Sequence, residues 1–135
     1  MKYTFFGHAC FRIDTGNEKL LFDPFLTGNS EATIASDKVK CDYILLSHAH
    51  GDHFGDAVTI AQRTGAKVIA IPEVLGLFPK TVVNEQPMNL GGQYHADFGT
   101  VKMVVALHGA GVAGGVPSKQ ARRCTTPEIR LSSVI

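Results

Sequence analysis

Four side chains that can bind metal ions lie within six residues near the middle of the chain. They are His48, His50, Asp52 and His53, and they directly follow the apolar run at residues 43–46. That run reads as a strand, so the donors lie at a strand end. Two imidazoles at i and i+2 can turn to one side, while the carboxylate and the third imidazole turn to the other. The spacing therefore predicts two adjacent metal positions, an arrangement that suits hydrolysis by a metal-activated water.

The same segment has a structural interpretation, in which His48 and His50 are polar loop residues and Asp52 caps the following helix. Asp52 can serve in both roles. Four donors in six residues at a strand end nevertheless favour metal binding. His108 follows a predicted strand at residues 100–107. We expect it to complete a three-histidine site, because three protein ligands leave the open position that a catalytic zinc needs.

Several segments of the chain resemble a known family. The stretch from Ser47 to His53 resembles the H-x-H-x-D-H motif of the metallo-β-lactamase fold, a large group of mostly hydrolytic enzymes. Residues 5–11, 20–25 and 104–108 resemble one branch of it, the metal-dependent hydrolases related to ascorbate-phosphate lactonases. The resemblance covers about residues 1–115. It implies an α/β chain with mixed sheets, forming the N-terminal part of an αββα sandwich whose C-terminal half is missing.

The resemblance also implies roles for the donors. One metal would be held by His48, His50 and His108, and the second by Asp52 and His53 with a bridging Asp. That Asp and a final His of the family have no match in this chain, so we expect at most one tightly held metal. The expected substrate is a small ester, lactone or phosphoester, and Asp52 could transfer the proton. Zinc is the default metal, with manganese or iron as alternatives, because these ligands discriminate poorly among them.

Three further residues are candidates for the site or its surroundings. Asp23 follows a strand and precedes Pro24, so it is either a turn residue or a carboxylate that orients a ligating imidazole. His8 follows another strand and could face the substrate as a second catalytic residue, although a lone histidine is more often structural. His95 lies in a polar, turn-rich stretch, and we expect it to be exposed.

A glycine motif at residues 109–114 offers a competing interpretation. It is a literal G-x-G-x-x-G after a strand, and Glu128 follows about twenty residues later, as in dinucleotide-binding sites. Pro117 would interrupt the required helix, and too little chain remains for the rest of a nucleotide-binding unit. We therefore predict no dinucleotide cofactor and interpret the motif as a glycine loop beside the metal site.

Composition narrows the class of protein. The chain has 135 residues, 44% of them hydrophobic, and a net charge of +1, which suits one domain. No basic stripe interleaved with aromatic residues is present, so we expect no nucleic-acid partner. No apolar run approaches a membrane span, and no targeting segment is visible. Cys10, Cys41 and Cys124 are odd in number and far apart, as expected for free thiols in the cytoplasm.

Short apolar runs and turn signals predict the order of elements. Strands are expected at residues 2–6, 10–14, 19–22, 42–46, 67–70, 81–83 and 100–107, with helices at 54–64 and 72–78. The first three strands should form an antiparallel meander, and the later alternation of strand and helix predicts βαβ units.

The last twenty residues differ from the rest. We place a partial domain at residues 1–116 and an atypical tail at residues 117–135, which is basic and lacks helical or strand periodicity. Moving the codon boundaries two bases forward from Ser118 makes the tail compatible with the family's Gly-Asp-Thr element. Our hypothesis is an out-of-frame tail, and a diverged natural terminus is the alternative. Such a chain could also be a catalytically impaired metal-binding fragment that forms homo-oligomers through exposed sheet edges.

Overall fold

Two β-sheets and three short helices form the part of the chain that the structure describes. The structure is a computed structural model, and it describes residues 1–82 and 84–108 and the backbone of residues 126–132. The first sheet contains β1 (Lys2–Gly7), β2 (Cys10–Asp14), β3 (Lys19–Phe22), β4 (Tyr43–Leu45), β5 (Lys67–Ala70) and β6 (Glu85–Pro87). The second sheet contains β7 (Gln93–Ala96), β8 (Gly99–Ala106) and β9 (Thr126–Ser132). The helices are α1 (Gly51–Phe54), α2 (Ala57–Thr64) and α3 (Pro72–Leu75), and a 3-10 turn spans Ser36–Lys38.

The strands of the first sheet lie side by side in chain order. β1, β2 and β3 are antiparallel, as the predicted meander requires, and β3, β4, β5 and β6 are parallel. In the second sheet, β8 pairs antiparallel with β7 on one side and β9 on the other. Because parallel strands end at the same edge of a sheet, the residues that follow β3 and β4 are neighbours.

The central strands are buried on both faces. Leu21 and Ile44 face a core that includes buried residues of α2 and α3. Leu20 and Leu45, one position away on each strand, face a second core shared with Met103 of the second sheet. Successive side chains of a strand point to opposite faces, so this alternation builds three layers: helices, first sheet, second sheet. The predicted α/β class with mixed sheets is confirmed.

Four predicted elements differ from the structure. The helix expected at residues 72–78 is shorter and ends at Leu75. The helix expected at residues 54–64 is split, because Gly55 adopts a backbone conformation (φ 37°, ψ −115°) that ends α1. No strand begins at Thr81; the strand that pairs with β5 lies at Glu85–Pro87, while Val83 is outside the described residues. The tail was expected to lack strand structure, but the backbone of Thr126–Ser132 forms β9.

Other predictions hold within the described residues. Cys10 and Cys41 are free and buried, while Cys124 lies outside the described residues. Within the described ranges, none of the helices is long and apolar enough to cross a membrane. The glycine motif at residues 109–114 and the proposed boundary at 116/117 fall outside the described residues.

Candidate metal centre

The predicted donors converge at one edge of the two sheets. His48 lies three residues beyond β4, and Asp52 and His53 lie on α1, which follows it. His108 lies two residues beyond the end of β8 in the second sheet. His8 lies in the turn between β1 and β2, so an antiparallel hairpin brings it to the same edge.

Six side chains at this edge form two donor sets. The first set is His48, His50 and His108, and the second set is His8, Asp52 and His53; within each set, potential ligand atoms lie within 4.8 Å of one another. The sets adjoin, because the ring centroids of His48 and His53 are 4.1 Å apart. The first set contains the three predicted histidines. The second contains the predicted Asp52 and His53, and it adds His8.

One buried carboxylate, that of Asp23, contacts both sets. Its Oδ2 accepts a hydrogen bond from His53 Nδ1 at 2.9 Å and another from the Ser47 hydroxyl at 2.6 Å. Its Oδ1 accepts from the backbone N–H of Ser47 at 2.8 Å. The Ser47 hydroxyl oxygen in turn lies 2.8 Å from His48 Nδ1. Asp23 therefore touches the second set directly and the first set through Ser47.

This hydrogen-bond chain determines which imidazole nitrogens are left for a metal. An ionised carboxylate only accepts, so His53 Nδ1 and Ser47 Oγ both donate to Asp23. Because the Ser47 hydroxyl donates its hydrogen bond to Asp23, the same oxygen accepts a hydrogen bond from His48 Nδ1. The Nε2 of His48 and that of His53 are then free to ligate. His48 Nε2 is buried and has no hydrogen-bond partner among the described residues, which is costly unless something binds it.

The electrostatics agree with ligation by His48. Burial, with His53 and His50 nearby, lowers the pKa of His48 to about 4, and Asp23 opposes this shift. His48 is therefore neutral at pH 7, as a metal-binding imidazole must be. For His53, the hydrogen bond to Asp23 raises the pKa, against the opposing effect of burial.

Close backbone contacts position the segments that carry the donors. A Cβ at Gly7 would lie 2.6 Å from the Glu31 carbonyl oxygen, and a Cβ at Gly55 would lie 2.6 Å from the Phe25 Cα. Both glycines also have positive φ, which glycine adopts readily. His8 and Asp23 have positive φ as well, at 53° and 38°. Such values are uncommon for non-glycine residues and recur at functional sites.

Two features of the site differ from the sequence interpretation. The residue at the N-cap of α1 is His50, and Asp52 lies inside the helix, so the prediction of Asp52 as a cap is wrong. Ser47 was not identified as a functional residue. Its position next to His48 was the available signal, but only the structure shows that its hydroxyl connects to Asp23. His95 is exposed on β7, as expected, and donates to or accepts from the Thr100 hydroxyl.

The donor chemistry fits a first-row divalent metal. Each set offers three side-chain donors, and three protein ligands leave positions for water or substrate. Imidazole with carboxylate suits zinc, manganese and iron. His48 Nε2, buried and without a partner in the described part of the chain, is a donor that a metal would satisfy.

Known proteins are similar to this chain in sequence and in fold. A protein named metal-dependent hydrolase in Carboxydothermus hydrogenoformans is 49% identical over 115 residues, which are 85% of this chain and 51% of that protein. One of the same name in Flavobacterium johnsoniae is 45% identical over 122 residues, or 87% of this chain and 54% of that protein. The chain thus spans about half the length of the curated relatives it matches.

Among solved structures, Igni18 from Ignicoccus hospitalis, described as a metallo hydrolase, superimposes with a TM-score of 0.74 and 28% identity. The superposition covers 96% of this chain and 55% of Igni18. The diiron β-hydroxylase CmlA from Streptomyces venezuelae has a TM-score of 0.67 at 16% identity, over 95% of this chain and 27% of CmlA, so it shares the fold alone. The sequence model of the metallo-beta-lactamase superfamily matches residues 3–128, beyond the limit near residue 115 set by the motifs. The chain therefore belongs to the metallo-beta-lactamase superfamily.

Proposed function

We propose that this chain carries the metal centre of a metal-dependent hydrolase that acts on a small ester, lactone or phosphoester. The observation that carries the proposal is the buried Nε2 of His48, which belongs to the first of two adjoining donor sets and has no hydrogen-bond partner among the described residues. A metal would satisfy that atom and give the site its chemistry. The hydrolase names of the relatives support the reaction type, and the lactone among the substrates rests on the sequence motifs.

The first donor set would hold one metal through His48, His50 and His108, and Asp52 and His53 would contribute to a second. A bound metal supplies a Lewis acid and lowers the pKa of a coordinated water to near neutrality. The chain's own contribution is orientation: Asp23 holds the His53 ring directly and the His48 ring through Ser47.

The Asp52 carboxylate is the candidate for proton transfer. Its side chain is 52% exposed, so it can meet both substrate and solvent. His8 lies beside it, with Nε2 3.3 Å from Asp52 Oδ2. A carboxylate in reach of the reacting water can accept its proton and return it to the leaving group.

Zinc is the metal we propose, because imidazole-rich sites with three protein ligands and an open position are typical of catalytic zinc. Iron is an alternative metal, because CmlA, which has the same fold, is a diiron enzyme. We also propose a cytoplasmic location and a small-molecule substrate, without a nucleic-acid partner. The free, buried Cys10 and Cys41 and the small net charge support this setting.

The test is turnover under control of metal content. Purified protein is stripped with a chelator, reloaded with zinc, and assayed on a panel of lactones, esters and phosphodiesters. We expect hydrolysis of at least one class in the reloaded protein and none in the stripped protein. Hydrolysis that survives complete metal removal, or no hydrolysis across the panel with the metal bound, would overturn the proposal.

A second candidate is a metal-binding fragment that associates with other copies and has no turnover. The observation that favours it is the edge strand β1, whose Tyr3 and Phe5 side chains are 61% and 53% exposed. Exposed apolar side chains on an edge strand promote association. Light scattering during size exclusion separates the two candidates when combined with the assay: a stable oligomer without turnover supports the fragment.

A further inference from the structure

We propose that His8 is the third ligand of the second metal position, with Asp52 and His53. The inference rests on the proposed metal-dependent function and adds a residue to its site. The sequence interpretation left His8 either facing the substrate or structural, and it left the second position with two donors from this chain. The structure brings all three side chains to one point, with ligand atoms within 4.8 Å of one another.

The separation between two of these ligand atoms is that expected around a metal. His8 Nε2 and Asp52 Oδ2 are 3.3 Å apart. A hydrogen bond between nitrogen and oxygen is normally shorter, at about 2.7–3.2 Å. Two ligands bound to the same tetrahedral zinc at about 2.1 Å each are separated by about 3.4 Å. The spacing fits two ligands of one ion, and without a metal it is also within the range of an ion pair.

The third ligand, His53, is already oriented for this task. Its Nδ1 donates to Asp23, which leaves Nε2 for the metal. The His8 and His53 rings lie 5.1 Å apart and nearly perpendicular, at 68°. A carboxylate behind a ligating imidazole is a common device for fixing the ring of a metal ligand. The second set therefore has the same construction as the first, in which Ser47 holds the His48 ring.

The backbone of the β1–β2 turn holds His8 in place. Gly7 approaches the Glu31 backbone so closely that a side chain there would clash, and His8 follows in a left-handed conformation with φ 53°. The edge of the His8 ring packs against Phe25, with centroids 6.1 Å apart at 87°. The turn is thus held by the loop that follows β3. Its geometry aims the imidazole at α1.

The position remains open to solvent, as a catalytic metal position requires. The side chains of His8 and Asp52 are 44% and 52% exposed, whereas His53 is mostly buried. Water can therefore complete the coordination sphere. With three donors in each set, this proposal replaces the expectation of one tightly held metal per chain with two.

The experiment is a titration of the metal-free protein with Co²⁺, which reports each binding step through its visible absorption. We expect two equivalents in the wild-type chain. His8→Asn and His8→Gly both tolerate a positive φ, so they remove the imidazole while sparing the turn. Each should weaken the second binding step at least tenfold, since losing even an outer partner of a ligand costs about 10–100-fold in affinity. Circular dichroism and the melting temperature check that the variants are folded.

Matched variants identify the site that each change affects. His50→Ala should weaken the first metal-binding step and leave the second unchanged, whereas the His8 variants should do the opposite. His95→Asn, an exposed histidine on β7 outside both sets, should leave both steps unchanged. One equivalent of Co²⁺ in the wild-type chain, or an unchanged second step in both folded His8 variants, would overturn the inference and return His8 to the substrate side.

Failure of this inference and failure of the proposed function give different results. If two metals bind per chain but no substrate of the panel is hydrolysed, the proposed hydrolase function is wrong and the assignment of His8 as a ligand stands. If one bound metal supports turnover and a second has no effect, the hydrolase function stands and the assignment of His8 is wrong.

Discussion

At the scale of single residues, the Asp23 carboxylate has the largest influence on the site. It receives three hydrogen bonds, two from Ser47 and one from His53, and through them orients one imidazole in each donor set. Removing any member of such a chain would release a ring to rotate and would let the wrong nitrogen face the metal. Metal affinity would fall as a result.

Ser47→Ala should therefore lower metal affinity while the protein stays folded. The change leaves His48 Nδ1 without its acceptor and removes one donor to Asp23. We expect a loss of about 10–100-fold in the affinity of the first site, as for other outer partners of metal ligands. Isothermal titration with zinc measures it, and Ser30→Ala, at an exposed serine in a loop, is the control. Equal affinities in the wild type and Ser47→Ala would show that Ser47 does not hold the ring.

Two histidines at opposite ends of the burial range give the sharpest contrast within one residue type. His48 is 6% exposed with an unpartnered Nε2, whereas His95 is exposed on β7. His48→Ala should abolish retention of metal at the first site, and His95→Ala should leave it near the starting level. Elemental analysis after extensive dialysis reports both. Equal losses in the two variants would mean that the site is misassigned.

At the scale of elements, the pattern of apolar residues predicted the first five strands but not β6, β9 or the contacts between loops. The strands at Cys10–Asp14, Lys19–Phe22 and Lys67–Ala70 have the predicted bounds, because continuous apolar runs flanked by turn residues are a local signal. The break between α1 and α2 has a tertiary cause: only glycine fits at position 55, because the backbone of Phe25 passes so close that a Cβ there would clash with it.

The same distinction applies to the site. The donors of residues 48–53 are local in sequence and were predicted together, as was His108 at its strand end. His8 was left between a role facing the substrate and a structural role, because its place beside Asp52 depends on the hairpin tip and on Phe25, which the sequence does not show. Asp23 was left between a turn role and a supporting role. In the structure, Asp23 lies directly after β3, as a turn residue would, and its carboxylate also contacts His53, as a supporting residue would.

Asp56 joins the start of α2 to the loop after β3, and its removal should destabilise the fold in a pH-dependent way. Its carboxylate accepts from the backbone N–H groups of Leu26 and Thr27 and from the Thr27 hydroxyl. Burial works to raise the pKa of Asp56, but these hydrogen bonds outweigh it and hold the pKa below its ordinary value of 3.8. Asp56→Ala should cost about 1–3 kcal/mol in the free energy of unfolding at pH 7.

The pH dependence has a definite sign. Because the folded-state pKa is lowered, the ionised carboxylate stabilises the fold above the unfolded-state value and loses that effect as pH falls through the folded-state value. The gap in unfolding free energy between the wild type and Asp56→Ala should be constant from pH 7 to 5 and narrow below about pH 4. Urea denaturation across this range measures the gap, with exposed Glu85→Ala as the control. A gap that does not narrow would exclude the carboxylate's charge as its source.

At the scale of the whole molecule, the chain joins two sheets, and its donors come from both. His108 extends from β8 of the second sheet, while the other donors belong to the first sheet and its loops. The position of β8 therefore bears directly on the metal centre. The backbone of β9 pairs with β8 along its length, from Thr100 opposite Ser132 to Ala106 opposite Thr126. The out-of-frame origin of the tail stays a hypothesis that sequencing the coding DNA would test.

Deleting residues 118–135 should lower thermal stability and leave the metal ligands in place. From sequence alone the deletion was expected to change little, because the tail lacks periodicity and ordering costs roughly 1–2 kcal/mol per residue. The structure changes that expectation, since the deletion would turn β8 into an edge strand. β8 buries Val101 and Met103 in the core between the sheets, so loosening it weakens that core.

We expect the melting temperature of the deletion variant to fall by at least about 4 °C, the shift that about 1 kcal/mol produces in a domain of this size. As an edge strand, β8 should also increase association, because exposed strand edges pair with other chains. Differential scanning calorimetry and light scattering measure the two effects. Zinc content should persist, because all six donors precede the deleted segment. An unchanged melting temperature would show that β9 adds nothing to the second sheet, whereas loss of zinc would show that β8 needs its partner to present His108.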